Sequence, residues 1–136
     1  MNILFVCKHN RFRSKAAEAL FKYHYKGESA KARSGGVILD FMHPYMSRNV
    51  VWALRARGVG IRDDGSRKVD DLLLKWADRI IIVADNVSSE FLKEFKSRVS
   101  AIWAVKDVSE NDIHAIERRI NEIEEKVKEL IAGLPA

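Results

Sequence analysis

The residues of this chain that could do chemistry lie near its N-terminus, where the only cysteine, Cys7, is followed by Arg13 and Ser14. An apolar run at 3–6 indicates a buried strand, and the alanine-rich stretch after Ser14 indicates a helix. A loop between a strand and a helix gathers backbone N–H groups that attract an anion. That positive field favours a cysteine thiolate, and an arginine fork matches phosphate or arsenate oxygens. The spacing predicts phosphoryl-transfer chemistry on Cys7.

A structural cysteine is the alternative, since free cysteine often serves as a small core residue. Three cations weaken that alternative: Arg11, Arg13 and Lys15 stand where positive charge opposes the dipole of the following helix. A bound oxyanion would explain them. We therefore favour the functional interpretation.

Length and composition predict one soluble globular domain covering 1–136, because the 136 residues are 47% hydrophobic and 32% charged. The net charge of +5 suits phosphorylated or acidic partners but is too small to indicate nucleic-acid binding. A single cysteine allows no intramolecular disulfide, which fits a reducing compartment. No apolar run is long enough to span a membrane, and no signal peptide precedes the first strand. We expect a cytoplasmic protein without a membrane or nucleic-acid partner.

Strands and helices are predicted to alternate along the chain. Strands are expected at about 2–6, 30–33, 79–83 and 101–105, and helices at about 14–25, 47–57, 69–76 and 88–95, with Ser34-Gly35-Gly36 as a turn. The run at 79–83 is apolar on both faces, as in a parallel sheet covered on both sides. Alternation of this kind predicts a layered α/β domain whose ligands bind at the carboxyl ends of the strands, where Cys7 lies.

A last helix is predicted after residue 109, where Ser109 and Asp112 have the spacing of a capping box. Apolar residues between 113 and 134 then recur at alternating spacings of three and four. That stripe suits either a coiled coil or a helix packed on the sheet, and its length of about three heptads favours the second. We expect a monomer or a weak dimer.

Four segments resemble the low-molecular-weight protein tyrosine phosphatases and the arsenate reductases that share their fold. Residues 7–14, here called the phosphate loop, resemble the family pattern cysteine–five residues–arginine–serine, and residues 17–20 resemble the helix that follows this loop. Residues 34–36 resemble a serine–alanine–glycine turn of the family. The middle section of the family is resembled by residues 58–61, 66–67 and 77–85. The resemblance runs from 2 to about 107. It implies a three-layer α/β fold with a central four-stranded parallel sheet flanked by helices, and the phosphate loop after the first strand.

The family mechanism assigns a role to each part of this loop. Cys7 would attack phosphorus and form a cysteinyl-phosphate intermediate, which water then hydrolyses. Arg13 and the loop amides would hold the phosphate oxygens, and Ser14 would stabilise the thiolate. The expected phosphate-binding residues are Lys8, His9, Asn10, Arg11, Phe12, Arg13 and Ser14. No metal or other cofactor is implied.

Asp107 stands where the family has its general acid, which protonates the leaving oxygen. Val108 replaces the proline that usually follows. The alternative for Asp107 is a solvated carboxylate near a helix start, where negative charge is favoured anyway. Glu110 is a reserve candidate for the acid, as is Asp112, although a capping role explains Asp112 better. Asn10 and Ser34 correspond to the family's supporting residues.

Several positions depart from the family pattern. His9 replaces a glycine, and histidine there is commoner among the arsenate reductases. Phe12 replaces a second loop cysteine, so oxidised Cys7 would need an outside thiol for rescue. Lys15 replaces a proline, and Asp64 replaces a histidine.

The loop residues Phe41, His43 and Tyr45 leave two interpretations open. They would either wall a phosphotyrosine slot or pack the long loop that carries them.

Three functions compete. The first is a phosphatase acting on a phosphorylated protein or a small phosphomonoester. Arsenate reduction is second, because a chain with only Cys7 would depend on an external thiol or a thioredoxin-like partner. A phosphate-binding module without catalysis is third, since binding alone does not need the thiol.

Overall fold

The computed structural model describes residues 1–62 and 64–135, whose strands and helices alternate along the chain. The strands are β1 (Asn2–Cys7), β2 (Lys31–Gly36), β3 (Arg79–Val83) and β4 (Val99–Trp103), and the α-helices are α1 (Arg13–His24), α2 (Arg48–Ala56), α3 (Asp71–Trp76) and α4 (Ile113–Ala132). A 3₁₀ segment, Ser89–Arg98, precedes β4 where a helix was predicted at 88–95. The strands form one four-stranded parallel sheet, as the resemblance implied, and the structure gives their order as β2-β1-β3-β4.

Hydrophobic packing on both faces of the sheet produces three layers. On one face, β1 and β3 side chains such as Phe5 and Ile81 pack with residues of α1, α2 and α4. On the other face, neighbouring side chains such as Leu4 and Ile80 pack with α3 and the 3₁₀ segment. Successive strand residues point to opposite faces, so the two central strands are apolar along their buried parts, at 3–6 and 80–83.

Helix α4 packs on the sheet, as its apolar stripe predicted. Ile116, Ile120 and Ile123 are at most 1% exposed and belong to the same core as Phe5. Of the helices among residues 1–62 and 64–135, none combines the length and apolar character needed to cross a membrane.

The predicted capping box at the start of α4 is wrong. Asp112 is itself the N-cap residue and accepts a hydrogen bond from Ala115 N at 3.0 Å. Ser109 lies in a separate turn, where its hydroxyl accepts from Asn111 N at 3.3 Å and its carbonyl accepts from Asp112 N at 3.0 Å. Because both residues can cap, their spacing in the sequence did not show which of them begins the helix.

The predicted turn at Ser34-Gly35-Gly36 is also wrong, because these residues are the end of β2. Ser34 pairs with Phe5 and Gly36 pairs with Cys7. At Gly36 the backbone of the phosphate loop passes so close that a Cβ would lie 2.7 Å from the carbonyl carbon of His9. The glycine therefore leaves room for the phosphate loop to cross the end of β2.

The remaining strand boundary shifts are small. Strand β4 lies at Val99–Trp103 rather than 101–105, and Val105 N bonds to Trp103 O at 2.7 Å in a tight turn after the strand. Both residues are apolar and buried, so composition alone did not mark the point where the strand ends.

Candidate active site

Cys7 lies at the carboxyl end of the central strand β1, and the phosphate loop carries the chain from there into α1. The cysteine is 2% exposed, and its Sγ lies 2.9 Å from Ser14 Oγ. Two backbone bonds tie the start of the loop to the chain after β2, from Val37 N to Cys7 O and from Ile38 N to Lys8 O. The strand and these ties fix the position of the sulfur.

Asn10 holds the middle of the loop in a conformation that few residues adopt. Its φ is +55°, in the left-handed region that asparagine tolerates better than most residues. Its Oδ1 accepts from Arg67 N at 2.8 Å, which identifies the other amide atom as the nitrogen. That Nδ2 donates to Ser14 Oγ at 2.7 Å and to Ser34 Oγ at 3.0 Å.

These bonds set the direction of a chain of hydrogen bonds that ends at the sulfur. Ser34 donates its hydroxyl to Glu18 Oε1 at 2.5 Å, and its oxygen receives Asn10. Ser14 likewise receives Asn10, so its own O–H can be donated to Cys7 Sγ. A charge-assisted bond of this kind stabilises a thiolate.

Arg13 is buried beside the cysteine, with 3% of its side chain exposed. Its Nη1 donates to Val105 O at 2.9 Å and lies 3.6 Å from Asp85 Oδ1. Asp85 N also bonds to Val105 O, so the arginine and the aspartate share one anchor. The pair compensates the charge of a guanidinium that would be costly to bury alone.

A pocket opens over Cys7, and it brings together residues that are distant in sequence. Its lining comprises Cys7, His9, Arg11, Phe12, Arg13, Ser47, Val50, Asp107, Val108, Glu110 and Ile116. All three predicted catalytic residues, Cys7, Arg13 and Asp107, are among them. Asp107 is exposed, and its Oδ1 accepts from the neighbouring Val108 N at 3.0 Å.

The predicted phosphate-binding residues divide into two groups. His9, Arg11, Phe12 and Arg13 line the pocket, whereas Asn10 and Ser14 are fully buried behind it, and Lys8 lies outside the lining. The side chain of Asn10 supports the loop, whereas that of Ser14 also contacts Cys7 Sγ directly. Ser34 belongs with them, since it contacts Asn10 and Glu18.

The reserve candidates for the acid separate in the same way. Glu110 lines the pocket and forms an ion pair with Arg11 at 3.0 Å, and its carbonyl accepts from Asn49 Nδ2 at 2.7 Å. Asp112 caps α4 and lies outside the lining.

The structure does not support the slot interpretation of the three loop side chains. Phe41 is 88% exposed and Tyr45 is 59% exposed, and His43 bonds to Asp40 at 3.1 Å. All three lie outside the lining of the pocket over Cys7, and the contact between His43 and Asp40 stays within the loop that carries them.

Two departures from the family pattern turn out to be partners. Lys15 Nζ lies 2.8 Å from Asp64 Oδ1, although the two positions are far apart in sequence. The hydrogen bond from Lys15 is the main reason that the pKa of Asp64 lies below its usual range. The lysine that replaces a proline and the aspartate that replaces a histidine therefore compensate one another.

Sequence reasoning missed Asp85, Glu18 and Arg67 as parts of the site. Asp85 had one available signal, because it follows β3, and β3 is the parallel neighbour of β1. The contribution of Arg67 is a backbone N–H, which no side-chain pattern reports. Among residues 1–62 and 64–135, no group of three or more metal-ligating side chains is assembled.

A cysteine at the end of a central parallel strand, bonded to a serine and beside a buried arginine, defines an α/β protein with a cysteine-based oxyanion pocket. The family model described as low molecular weight phosphotyrosine protein phosphatase matches residues 2–136. The chain therefore belongs to that phosphatase family, as the resemblance predicted.

Solved structures similar to this chain cover nearly its whole length. A low molecular weight protein tyrosine phosphatase from T. tengcongensis is 24% identical with a TM-score of 0.87, over 98% of this chain and 99% of that one. An arsenate reductase from Archaeoglobus fulgidus is 29% identical with a TM-score of 0.76, over 96% and 98%. The YwlE arginine phosphatase from Geobacillus stearothermophilus is 20% identical with a TM-score of 0.83, over 96% and 90%. No curated protein matches the chain.

Proposed function

We propose that this chain hydrolyses phosphotyrosine or a similar phosphomonoester through a cysteinyl-phosphate intermediate. The observation that carries the proposal is one pocket lined by Cys7, Arg13 and Asp107, with Ser14 Oγ 2.9 Å from the sulfur. A nucleophile, an oxyanion partner and an acid are the three groups that this reaction needs.

In the first step the Cys7 thiolate forms an S–P bond while the P–O ester bond breaks. Arg13 has N–H groups beyond the one bonded to Val105 O, and it would offer them to the phosphate oxygens together with the loop amides. Protonated Asp107 would give its proton to the leaving oxygen, so that the alcohol or phenol departs neutral.

In the second step water attacks phosphorus and the S–P bond breaks. Asp107, now a carboxylate, would take a proton from that water, and inorganic phosphate leaves. Ser14 would stabilise the departing thiolate through the hydrogen bond already present in the structure.

The test is hydrolysis of p-nitrophenyl phosphate between about pH 5 and 8. It is run without added thiol on the wild type and on Cys7→Ser. We expect turnover in the wild type and none in the variant, with phosphate still bound by the variant. A folded wild type without turnover, or a variant that keeps it, would overturn the proposal.

Arsenate reduction is the second candidate, favoured by His9 in the pocket and by the 29% identity to a protein named as an arsenate reductase. With Cys7 as the only cysteine, an external thiol or thioredoxin-like partner would have to resolve the arsenic adduct. Arsenate-dependent oxidation of a supplied thiol system, lost in Cys7→Ser, would support this candidate. Its absence alongside phosphate-ester turnover would exclude it.

A further inference from the structure

A second cleft, lined by residues other than those of the catalytic pocket, lies between α1 and the edge strand β2. Its volume is about 470 Å³, within the range of small-molecule sites. Its lining includes Glu18, Lys22, Lys31, Arg33, Arg67 and Trp76. The nucleophile, the acid and the phosphate loop contribute nothing to this lining.

Positive charge is in surplus in the second cleft. Its two carboxylates already have partners, since Glu18 binds Lys22 at 2.5 Å and Asp64 binds Lys15 at 2.8 Å. Within the described part of the chain, Lys31, Arg33 and Arg67 form no salt bridge. Three cations without a salt-bridge partner around one concave surface attract an anion.

A flat surface accompanies this charge. The guanidinium of Arg33 lies 4.6 Å from the ring centroid of Trp76, so the two planar groups hold one another in place. Arg33 is exposed on the outer strand of the sheet, where a ligand can reach it. A planar ring can stack beside such a pair while an attached phosphate meets the neighbouring cations.

The second cleft also contacts the hydrogen bonds that support the phosphate loop. Glu18 accepts from Ser34, which in turn accepts from Asn10 at 3.0 Å. The backbone N–H of Arg67 donates to the other end of the same Asn10 amide at 2.8 Å. Both atoms of that amide are thus one or two hydrogen bonds from a residue of the cleft. Connected networks of this kind carry coupling between sites.

We propose that the second cleft binds an aromatic phosphate of nucleotide size and that its occupancy changes turnover at Cys7. The ring lies beside Arg33 and Trp76, and the phosphate lies among Lys31, Arg67 and Lys22. A series of hydrogen bonds runs from Glu18 through Ser34, Asn10 and Ser14 to Cys7. An anion that draws Lys22 away from Glu18 alters the charge at the far end of this series. The effect on turnover rests on the proposed phosphatase function, whereas the binding does not.

Binding is tested by titrating ADP into the ¹⁵N-labelled full chain with vanadate saturating the catalytic pocket. The indole N–H of Trp76 and the amide of Arg67 should shift saturably. Arg33→Ala should weaken the apparent affinity for ADP at least fivefold. Arg33→Lys should weaken it equally, because lysine keeps the positive charge but lacks the planar guanidinium. Lys126→Ala, an exposed lysine on α4, is the matched control and should bind as the wild type does. Equal chemical-shift changes with inorganic phosphate, or wild-type affinity for ADP in Arg33→Ala, would refute the proposed binding site in the second cleft.

Coupling is tested by kcat for p-nitrophenyl phosphate at saturating substrate, where competition at Cys7 no longer contributes. ADP should change kcat at least twofold in the wild type and in Lys126→Ala. In Arg33→Ala, which keeps the basal rate, ADP should have no effect. ADP binding without a change in kcat would refute the coupling, whereas the binding site itself would be retained. A wild type without any turnover would refute the proposed function, while the titration would still decide whether the site exists.

Discussion

The two walls of the catalytic pocket differ in how firmly their residues are held. On the phosphate-loop side, the residues at most 2% exposed are Cys7, Asn10, Arg13 and Ser14. Hydrogen bonds join Ser14 to Cys7 and to Asn10, and Arg13 donates to Val105 O. On the other side, Asp107 is exposed and bonds only to its own neighbour, in the contacts the structure describes. The difference indicates that the position of the proposed nucleophile is set before substrate arrives, whereas that of the proposed acid depends more on the substrate.

One ion pair connects the two walls. Arg11 leaves the phosphate loop, donates its Nε to Tyr45 O at 2.8 Å and reaches Glu110 at 3.0 Å on the acid side. Both partners are partly exposed, so the pair contributes only about 1 kcal/mol or less. The acid wall is therefore connected to the rest of the site more weakly than the nucleophile is.

Removing the proposed acid, Asp107, tests the weakly held wall and should have the largest effect. Asp107→Asn keeps the shape of the side chain but cannot donate the proton, and general acid catalysis is worth about 10²–10⁴-fold. We expect kcat to fall by about that factor for phenyl phosphate and by less for p-nitrophenyl phosphate, whose leaving group needs less assistance. Glu110→Gln, which alters another carboxylate of the same pocket, is the control and should keep most of the activity. Equal losses in both variants would remove Asp107 as the acid.

Removing the centre of the firmly held wall should affect stability as well as activity. Asn10→Ala deletes three side-chain hydrogen bonds and places alanine at φ +55°. The free energy of unfolding should fall by about 2–4 kcal/mol, measured by urea denaturation. Asn10→Gly tolerates the backbone conformation, so it isolates the hydrogen bonds and should lie between alanine and the wild type. Wild-type stability in the glycine variant would show that the hydrogen bonds contribute nothing.

A crowded glycine offers a third test of the same wall. In Gly36→Ala, the new Cβ would meet backbone atoms of His9, Asn10 and Lys8 within 2.9 Å. These atoms are not flexible side-chain ends, so we expect a loss of about 1–3 kcal/mol and lower phosphate affinity. Gly60→Ala is the control, because nothing lies within 4 Å of its Cβ position. Comparable thermal denaturation of the two variants would mean that the loop moves away at little cost.

The fold was largely predictable from the sequence because its signals are local. Continuous apolar runs at 3–6 and 80–83 are buried on both faces, and the middle of the stripe on α4 matches its buried residues, although Ile113 at its start is exposed. The loop motif likewise located Cys7, Arg13 and Ser14. Where one local signal has two physical explanations, prediction failed: Gly35-Gly36 indicated a turn, but the glycines allow a close backbone approach.

Contacts between distant segments were not predictable in the same way. Asp85 beside Arg13 and the backbone of Arg67 beside Asn10 depend on strand order and on the path of a loop. The spacing of residues along the sequence indicates neither the strand order nor the path of the loop. Lys15 and Asp64 each deviated from the family pattern when considered alone, and only the structure shows that they are partners.

The ion pair between Lys15 and Asp64 predicts a smaller effect on stability, and this effect depends on pH. Because the pKa of Asp64 is lowered in the folded protein, chiefly by the hydrogen bond from Lys15, the pair stabilises the fold above the ordinary aspartate pKa of about 3.9. The contribution is lost as the pH falls through the folded pKa. Asp64 is 52% exposed, so Asp64→Asn should cost about 1 kcal/mol or less at pH 7. Urea denaturation should show this difference shrinking below about pH 4, and a difference that stays constant at pH 3 would contradict an ionic contribution.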